Sequence, residues 1–156
     1  RRIHYFMKGI QGKIPPFVCK NPGLDSGYMI AHVTSTSLAS ENKTLSHPAS
    51  VDSLPTSGGQ EDLVSMAPWA GLKLIQIQKN VNRILAIELI VAGAANFLIS
   101  SKLKSGDGTS KVLDILNKYC SFNAGDRSLT SEIESVYDIL SSGHLYRDIS
   151  QHLTLE

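Results

Sequence analysis

The sequence contains few of the residues that build metal sites and disulfide scaffolds. Its two cysteines, Cys19 and Cys120, lie far apart and form no CxxC pattern, and its five histidines have no partners at ligand or catalytic-triad spacing. These absences exclude a zinc module and a disulfide framework. We therefore expect two buried, free thiols in a reducing compartment and no metal site.

An excess of charge is also absent. The chain carries 15 basic and 14 acidic residues, which are scattered and leave a net charge of +1. This balance gives no electrostatic reason to propose nucleic acid or an anionic membrane as a partner. The sequence begins with neither methionine nor an apolar leader, so we expect a cytoplasmic protein and a chain that begins inside a longer one.

The most apolar stretch, residues 84–99, is interrupted by Glu88 and Asn96. It is too short to span a bilayer comfortably, which favours a buried helix. Because this stretch is apolar nearly all round, it needs cover on every side.

Glycine and proline divide the rest of the chain. They predict an irregular connector over residues 1–25, then a helix over 27–45 that Asp25 or Ser26 caps. The faces of this helix carry many small residues and several polar ones, including Asn42, which predicts close, partly hydrogen-bonded contacts with other helices. A polar loop over residues 46–59 follows.

The sequence Ser57-Gly58-Gly59-Gln60 fits a capping box. It predicts a long helix from Gln60 to Ser101, in which Pro68 is tolerated or causes a kink. We interpret the glycine pair as a turn, since no phosphate-binding fingerprint surrounds it.

Two shorter amphipathic helices follow, with Thr109 and Thr130 as caps, and the second ends near Gly143. The prediction is an all-α, long-helix bundle. Because one long and two short helices cover the apolar helix thinly, we expect exposed apolar patches and self-association. The missing cover would come from an N-terminal portion or from other subunits.

Several consecutive segments of the sequence form a recognisable pattern. They are Asn21-Pro22-Gly23-Leu24-Asp25-Ser26-Gly27-Tyr28-Met29-Ile30-Ala31, residues 38–43 and 47–57, Gln60-Glu61-Asp62, Val64-Ser65-Met66 and, more weakly, Leu85-Ala86-Ile87-Glu88. Together these segments resemble histidine ammonia-lyases of the aromatic amino acid lyase family. The similarity is strongest over residues 21–68 and weak after residue 100.

The resemblance implies a fumarase/aspartase-like helical lyase fold, completed by an N-terminal region and other subunits. It implies a homotetramer with shared active sites and an amino acid substrate. The family's electrophile, 4-methylidene-imidazol-5-one, forms from an Ala-Ser-Gly triplet that does not occur in this sequence. We therefore expect the electrophile to come from a missing N-terminal portion, and these 156 residues alone to be inactive.

On this interpretation residues 1–156 are the C-terminal portion of a single lyase chain. Residues 1–25 are its connector, residues 26–101 its central helices and active-site loop, and residues 102–156 its short C-terminal helices.

The resemblance assigns Glu61 as the catalytic residue and Met29 and Gln60 as substrate-binding residues. A carboxylate can hold, or exchange a proton with, the ammonium or imidazole of histidine. Family members that act on phenylalanine resemble one another in having an amide at the place of Glu61 and a lysine at that of Met29. The pair Glu61 and Met29 therefore favours histidine, with urocanate and ammonia as products.

Alternatives to this assignment remain. Without the resemblance, Glu61 could complement a helix dipole, and Met29 could be a core residue. The chain could belong to a tyrosine or phenylalanine ammonia-lyase or an aminomutase, or be a non-catalytic oligomerisation module. It also differs from the usual histidine lyase at four positions: Leu63 replaces histidine, Gly58-Gly59 replaces Ala-Asn, and His32 replaces glutamine.

Overall fold

The computed structural model describes residues 1–51, 53–99 and 104–151. Within these ranges the protein is all-α, as predicted, and its only strand-like pairings are isolated bridges. The helices are α1 (Arg2–Lys8), α2 (Met29–Leu45), α3 (Ala67–Leu98), α4 (Asp107–Leu116), α5 (Thr130–Ser141) and α6 (His144–Ser150).

Helices α2 and α3 form an antiparallel hairpin. Tyr28, just before α2, shares a cavity wall with Ala94 near the end of α3. Towards the other end of α2, the side-chain amide of Asn80 donates to Oδ1 of Asn42 at 2.9 Å and to Oε2 of Glu41 at 3.0 Å. The predicted hydrogen bonding of polar residues on α2 is thus confirmed at Asn42.

The core forms around the C-terminal half of α3. Ile87, Ile90 and Val91 are almost fully buried, and α5 contributes Val136. This confirms the predicted buried helix. Helix α1, which the sequence did not predict, also packs here because Ile3 and Met7 lie four residues apart on one face.

The predicted start of the long helix at Gln60 is wrong. Residues Ser57–Gly59 form a single 3-10 turn in which Gly58 and Gly59 have φ of +66° and +88°, outside the right-handed helical region. Helix α3 begins at Ala67, with Pro68 in its first turn, where a missing N–H leaves no hydrogen bond unmade. Pro68 therefore helps to start the helix instead of bending it.

Smaller differences occur at other helix ends. Helix α2 begins at Met29 and not at residue 27, because Gly27 has φ of +55°. Helix α4 starts two residues before Thr109, and Thr130 is the first residue of α5 instead of its cap. Gly143, with φ of +72°, separates α5 from α6, which was not predicted. The predicted helix end at Ser101 and the boundary at residues 101 and 102 lie outside the described residues.

The N-terminal half of α3 is much less covered than its C-terminal half. Trp69 and Leu74 are 58% and 63% exposed, so the predicted exposure of apolar surface is confirmed. By length and composition α3 could cross a membrane: it has 32 residues, and its most apolar 18-residue window has a mean hydropathy of 1.5 and is 39% buried. The buried core helix of a globular protein has the same length and composition, and the burial of Ile87, Ile90 and Val91 agrees with the predicted buried helix.

Candidate functional site

Glu61 lies in a tight turn in the connection between α2 and α3. The backbone N–H of Thr56 donates to the carbonyl of Glu61 at 2.9 Å, and the N–H of Glu61 donates back at 3.4 Å. The hydroxyl of Thr56 also donates to Oε2 of Glu61 at 3.0 Å. Because Glu61 precedes α3 by six residues, it cannot complement the dipole of that helix, and the helix-dipole interpretation is wrong.

The connection around this turn is folded onto the start of α3. The N–H of Val64 donates to the hydroxyl of Ser53 at 2.9 Å, and the ammonium of Lys73 donates to the carbonyl of His47. Gln60 and Glu61 are both exposed, and so is Leu63. The predicted site residues of this loop thus face outward from a locally ordered turn.

Met29 lies at the opposite end of the hairpin, as the first residue of α2, and is 37% exposed. The chain before it runs close to its neighbours. The N–H of Tyr28 donates to the carbonyl of Phe17 at 3.0 Å, and a Cβ on Gly27 would lie 2.4 Å from the same oxygen. Only glycine fits there, because its φ is positive and a side chain has no space.

The connection between α4 and α5 holds the same segment from the other side. The carboxylate of Asp126 accepts hydrogen bonds from the N–H groups of Ser26 and Gly27, both at 2.8 Å, and these bonds lower the pKa of Asp126. No sequence pattern indicates this contact, because it joins residues about 100 positions apart.

Arg127 extends this contact towards α5. Its guanidinium binds Glu132 through two hydrogen bonds, of 2.7 Å and 2.9 Å, which raise the pKa of Arg127. It also lies 6.0 Å from the centre of the Tyr28 ring. The Tyr28 side chain is buried, and this burial raises the pKa of its hydroxyl.

One chain does not bring Met29 and Glu61 together. Met29 is level with about residue 93 of α3, roughly 39 Å along the helix axis from Ala67. Glu61 is six residues from Ala67, which allows at most about 22 Å of extended chain. Their Cα atoms are therefore at least about 17 Å apart, so within one chain the two side chains are not in contact with each other.

The cysteines and histidines offer no metal centre within the described parts of the chain, where no three potential ligands lie together. Cys19 and Cys120 are free and buried, as predicted. Burial raises the pKa of the Cys120 thiol to about 12, which keeps it protonated and unreactive. His32 lies beside His4, with ring centres 5.7 Å apart.

Solved structures share this arrangement of helices. Histidine ammonia-lyase from Trypanosoma cruzi superposes with a TM-score of 0.83 and 38% identity, over 90% of this chain and 27% of that one. A tyrosine aminomutase from Streptomyces globisporus superposes with a TM-score of 0.85 and 30% identity, over 92% of this chain and 27% of that one. The fold is therefore that of the helical ammonia-lyases and aminomutases.

The sequence comparisons agree. A family model described as aromatic amino acid lyase matches residues 1–118. The histidine ammonia-lyase of Natranaerobius thermophilus is 42% identical over 138 residues, which make up 88% of this chain and 27% of that protein. The chain belongs to the aromatic amino acid lyase family, and it spans little more than a quarter of the length of this relative.

Proposed function

We propose that this chain is the C-terminal portion of a cytoplasmic histidine ammonia-lyase, which eliminates ammonia from L-histidine to give urocanate. The observation that carries the proposal is the ordered turn at Glu61. Thr56 binds one carboxylate oxygen, Oε2, and the side chain is exposed to a ligand arriving from outside the chain.

Glu61 suits a substrate that carries nitrogen donors. Its carboxylate would accept a hydrogen bond from the imidazole or the ammonium of histidine, or exchange a proton with it. An apolar ring would leave that charge unpaired in a closed site, which is costly. Gln60, beside Glu61, would add an amide to the same wall, and Met29 would supply an apolar contact to the substrate.

The residues of this chain fit a role beside the electrophile, not a role in forming it. An Ala-Ser-Gly triplet does not occur in the 156 residues, so the 4-methylidene-imidazol-5-one would come from another part of the parent protein. When present, that group supplies the electrophilic carbon that takes up the substrate amine. The part of this chain is to bind and orient the substrate through Glu61, Gln60 and Met29, and we expect it to be inactive alone.

The separation of Met29 from Glu61 supports a site that several copies share. One chain holds the two Cα atoms at least about 17 Å apart, so a site in which different chains supply Met29 and Glu61 brings both residues to one substrate more closely than a single chain does. The exposed apolar residues at the start of α3, among them Trp69, Leu72 and Leu74, are suited to the contacts of a homotetramer. The proposal therefore includes that assembly.

The first test is turnover by the full-length protein, followed by the ultraviolet absorbance of urocanate. We expect Glu61→Gln to lower kcat for histidine about 100-fold, because the amide cannot accept a proton. Asp62→Asn is the matched control, since Asp62 is the neighbouring exposed carboxylate, and it should leave kcat unchanged. Wild-type rates from Glu61→Gln would contradict the role of Glu61.

Complementation tests the shared site. Met29→Lys and Glu61→Gln proteins, each weakly active alone, are unfolded together and refolded as mixed assemblies. If different chains supply the two residues, some sites receive neither substitution, and part of the activity returns. Mixtures that stay as inactive as the separate variants would contradict a site in which different chains supply Met29 and Glu61.

A second candidate is an aminomutase, which the likeness to the tyrosine aminomutase favours. Incubation of the full-length protein with tyrosine, followed by separation of α- and β-amino acids, distinguishes the two. A β-amino acid product and no urocanate from histidine would replace the first proposal with the second. No turnover of either amino acid would favour a non-catalytic oligomerisation module.

A further inference from the structure

We propose that Asp126 is a positioning residue, which fixes the start of α2 and thereby the place of Met29 in the substrate site. This inference rests on the proposed function, in which Met29 contacts the substrate. It assigns a role to Asp126, which lies in the connection between α4 and α5 and beyond the residues 1–118 that the family model matches.

The N–H groups of Ser26 and Gly27 form a specific binding site for the carboxylate of Asp126. Both oxygens of Asp126 are used, Oδ2 by the N–H of Ser26 and Oδ1 by the N–H of Gly27, each at 2.8 Å. Hydrogen bonds to a charged acceptor are shorter and stronger than neutral ones. The two N–H groups precede the first turn of α2 and point at one acceptor from consecutive residues.

The position of Gly27 makes this contact decisive for the direction in which α2 begins. Glycine has no Cβ to restrict its backbone, so external contacts must fix its φ of +55°. Phe17 provides one such contact through the N–H of Tyr28, and Asp126 provides the other. Met29 is two residues further on, so a rotation at Gly27 moves its side chain directly.

Asp126 is itself held in place by its neighbour. Arg127 binds Glu132 of α5 and donates to the carbonyls of Ala124 and Gly125 at 3.4 Å and 3.2 Å. The connection is thus attached to α5, and α5 packs on α3. A continuous set of contacts therefore runs from the core, through Arg127 and Asp126, to the start of α2.

The exposure of Asp126 separates positioning from general stability. The residue lies at the surface and contributes little to the core, so its replacement should leave α3 and α5 packed. The loss should be confined to the start of α2. A change in substrate affinity without a change in global stability is therefore the expected signature.

The experiment uses the full-length enzyme with Asp126→Asn, the conservative variant Asp126→Glu, and Asp114→Asn as a control for removing a surface carboxylate from α4. We expect Asp126→Asn to raise KM for histidine about tenfold and to change kcat less than twofold. Asp126→Glu should restore part of the affinity, because it keeps the charge. Asp114→Asn should match the wild type.

Amide hydrogen exchange gives a readout that does not depend on turnover. The N–H groups of Ser26 and Gly27 should exchange at least about tenfold faster in Asp126→Asn, while those of the α3 core keep their rates. Unchanged exchange at these two amides would overturn the contact. Faster exchange with an unchanged KM would overturn the positioning role, and so would a parallel loss of kcat and melting temperature.

The proposed function fails separately. If the wild-type full-length enzyme turns over no amino acid, both the function and the positioning role are overturned, whatever the exchange rates. If it turns over tyrosine instead of histidine, KM for tyrosine becomes the measured quantity. The same tenfold expectation then applies.

Discussion

The two ends of the α2–α3 hairpin differ in how completely one chain builds them. At the end with Met29, the residue before it is 5% exposed, and Phe17 and Asp126 bind the backbone from two sides. At the end with Glu61, a turn closed by Thr56 lies beside a start of α3 whose apolar residues are exposed.

This difference means that the two ends of the hairpin are held in place in different ways. The closed end is fixed by contacts within the chain, so Met29 has its place before any assembly forms. The open end has a fixed local shape, but its surroundings depend on what covers Trp69, Leu72 and Leu74. Assembly should therefore affect the environment of Glu61 more than that of Met29.

Glycine substitutions at the two ends should give the largest difference. Gly27→Ala places a Cβ 2.4 Å from the Phe17 carbonyl at a positive φ, so we expect a loss of about 3 kcal/mol in unfolding free energy. Gly58→Ala has a similar φ but open space, so strain alone should cost about 1 kcal/mol. Urea denaturation measures both, and equal losses would remove the distinction between the ends.

The ion pairs provide a smaller contrast. Glu132→Gln leaves Arg127 without its counter-charge near the closed end, where the Glu132 side chain is 10% exposed, and should cost about 2 kcal/mol. Glu134→Gln breaks the pair with Arg83, where the glutamate is 46% exposed, and should cost about 0.5 kcal/mol. A larger loss from Glu134→Gln, in the same urea titrations, would contradict burial as the reason for the difference between the two pairs.

The smallest expected effect is the pH dependence of the contact between Asp126 and the start of α2. The N–H groups of Ser26 and Gly27 lower the pKa of Asp126 in the folded protein, so its stabilising contribution is complete above the pKa of the unfolded chain, about 4. The contribution is lost as pH falls through the lower, folded pKa. The difference between wild type and Asp126→Asn in the hydrogen-exchange protection of the Ser26 and Gly27 amides should therefore shrink below about pH 4. A difference that grows on acidification would reverse the assigned sign.

Periodicity and composition predicted the parts of the fold that depend on local pattern. The apolar stretch around Ile87 had to be a covered helix, and the structure buries it. The start of α3 was misplaced because the capping box and a run of helix-compatible residues looked continuous from Gln60. The positive φ of Gly58 and Gly59, which breaks that continuity, cannot be predicted from the sequence, because glycine is compatible with either conformation.

For a similar reason, the sequence indicated some residues of the candidate site and missed others. Glu61, Gln60 and Met29 came from resemblance, and their roles remain proposals. Asp126 could not be predicted, because pairing an aspartate with two backbone N–H groups about 100 residues away depends on the tertiary fold. Helix α1 was missed because its seven residues before Gly9 are too few to show a helical repeat of apolar positions. A helix this short depends on its burial against the core for stability.

The buried Asn80 determines which alignment of α2 and α3 is stable. The small residues along α2 would pack almost as well after a slide of one helical turn, about 5.4 Å. Such a slide would carry Glu41 and Asn42 away from the Asn80 amide, which is 1% exposed, and leave it without acceptors. An unpaired buried amide costs about 1–3 kcal/mol, so one register is selected. A single side chain in the middle of the hairpin thereby sets the distance between its two ends, and with it the spacing that any assembly of these chains must match.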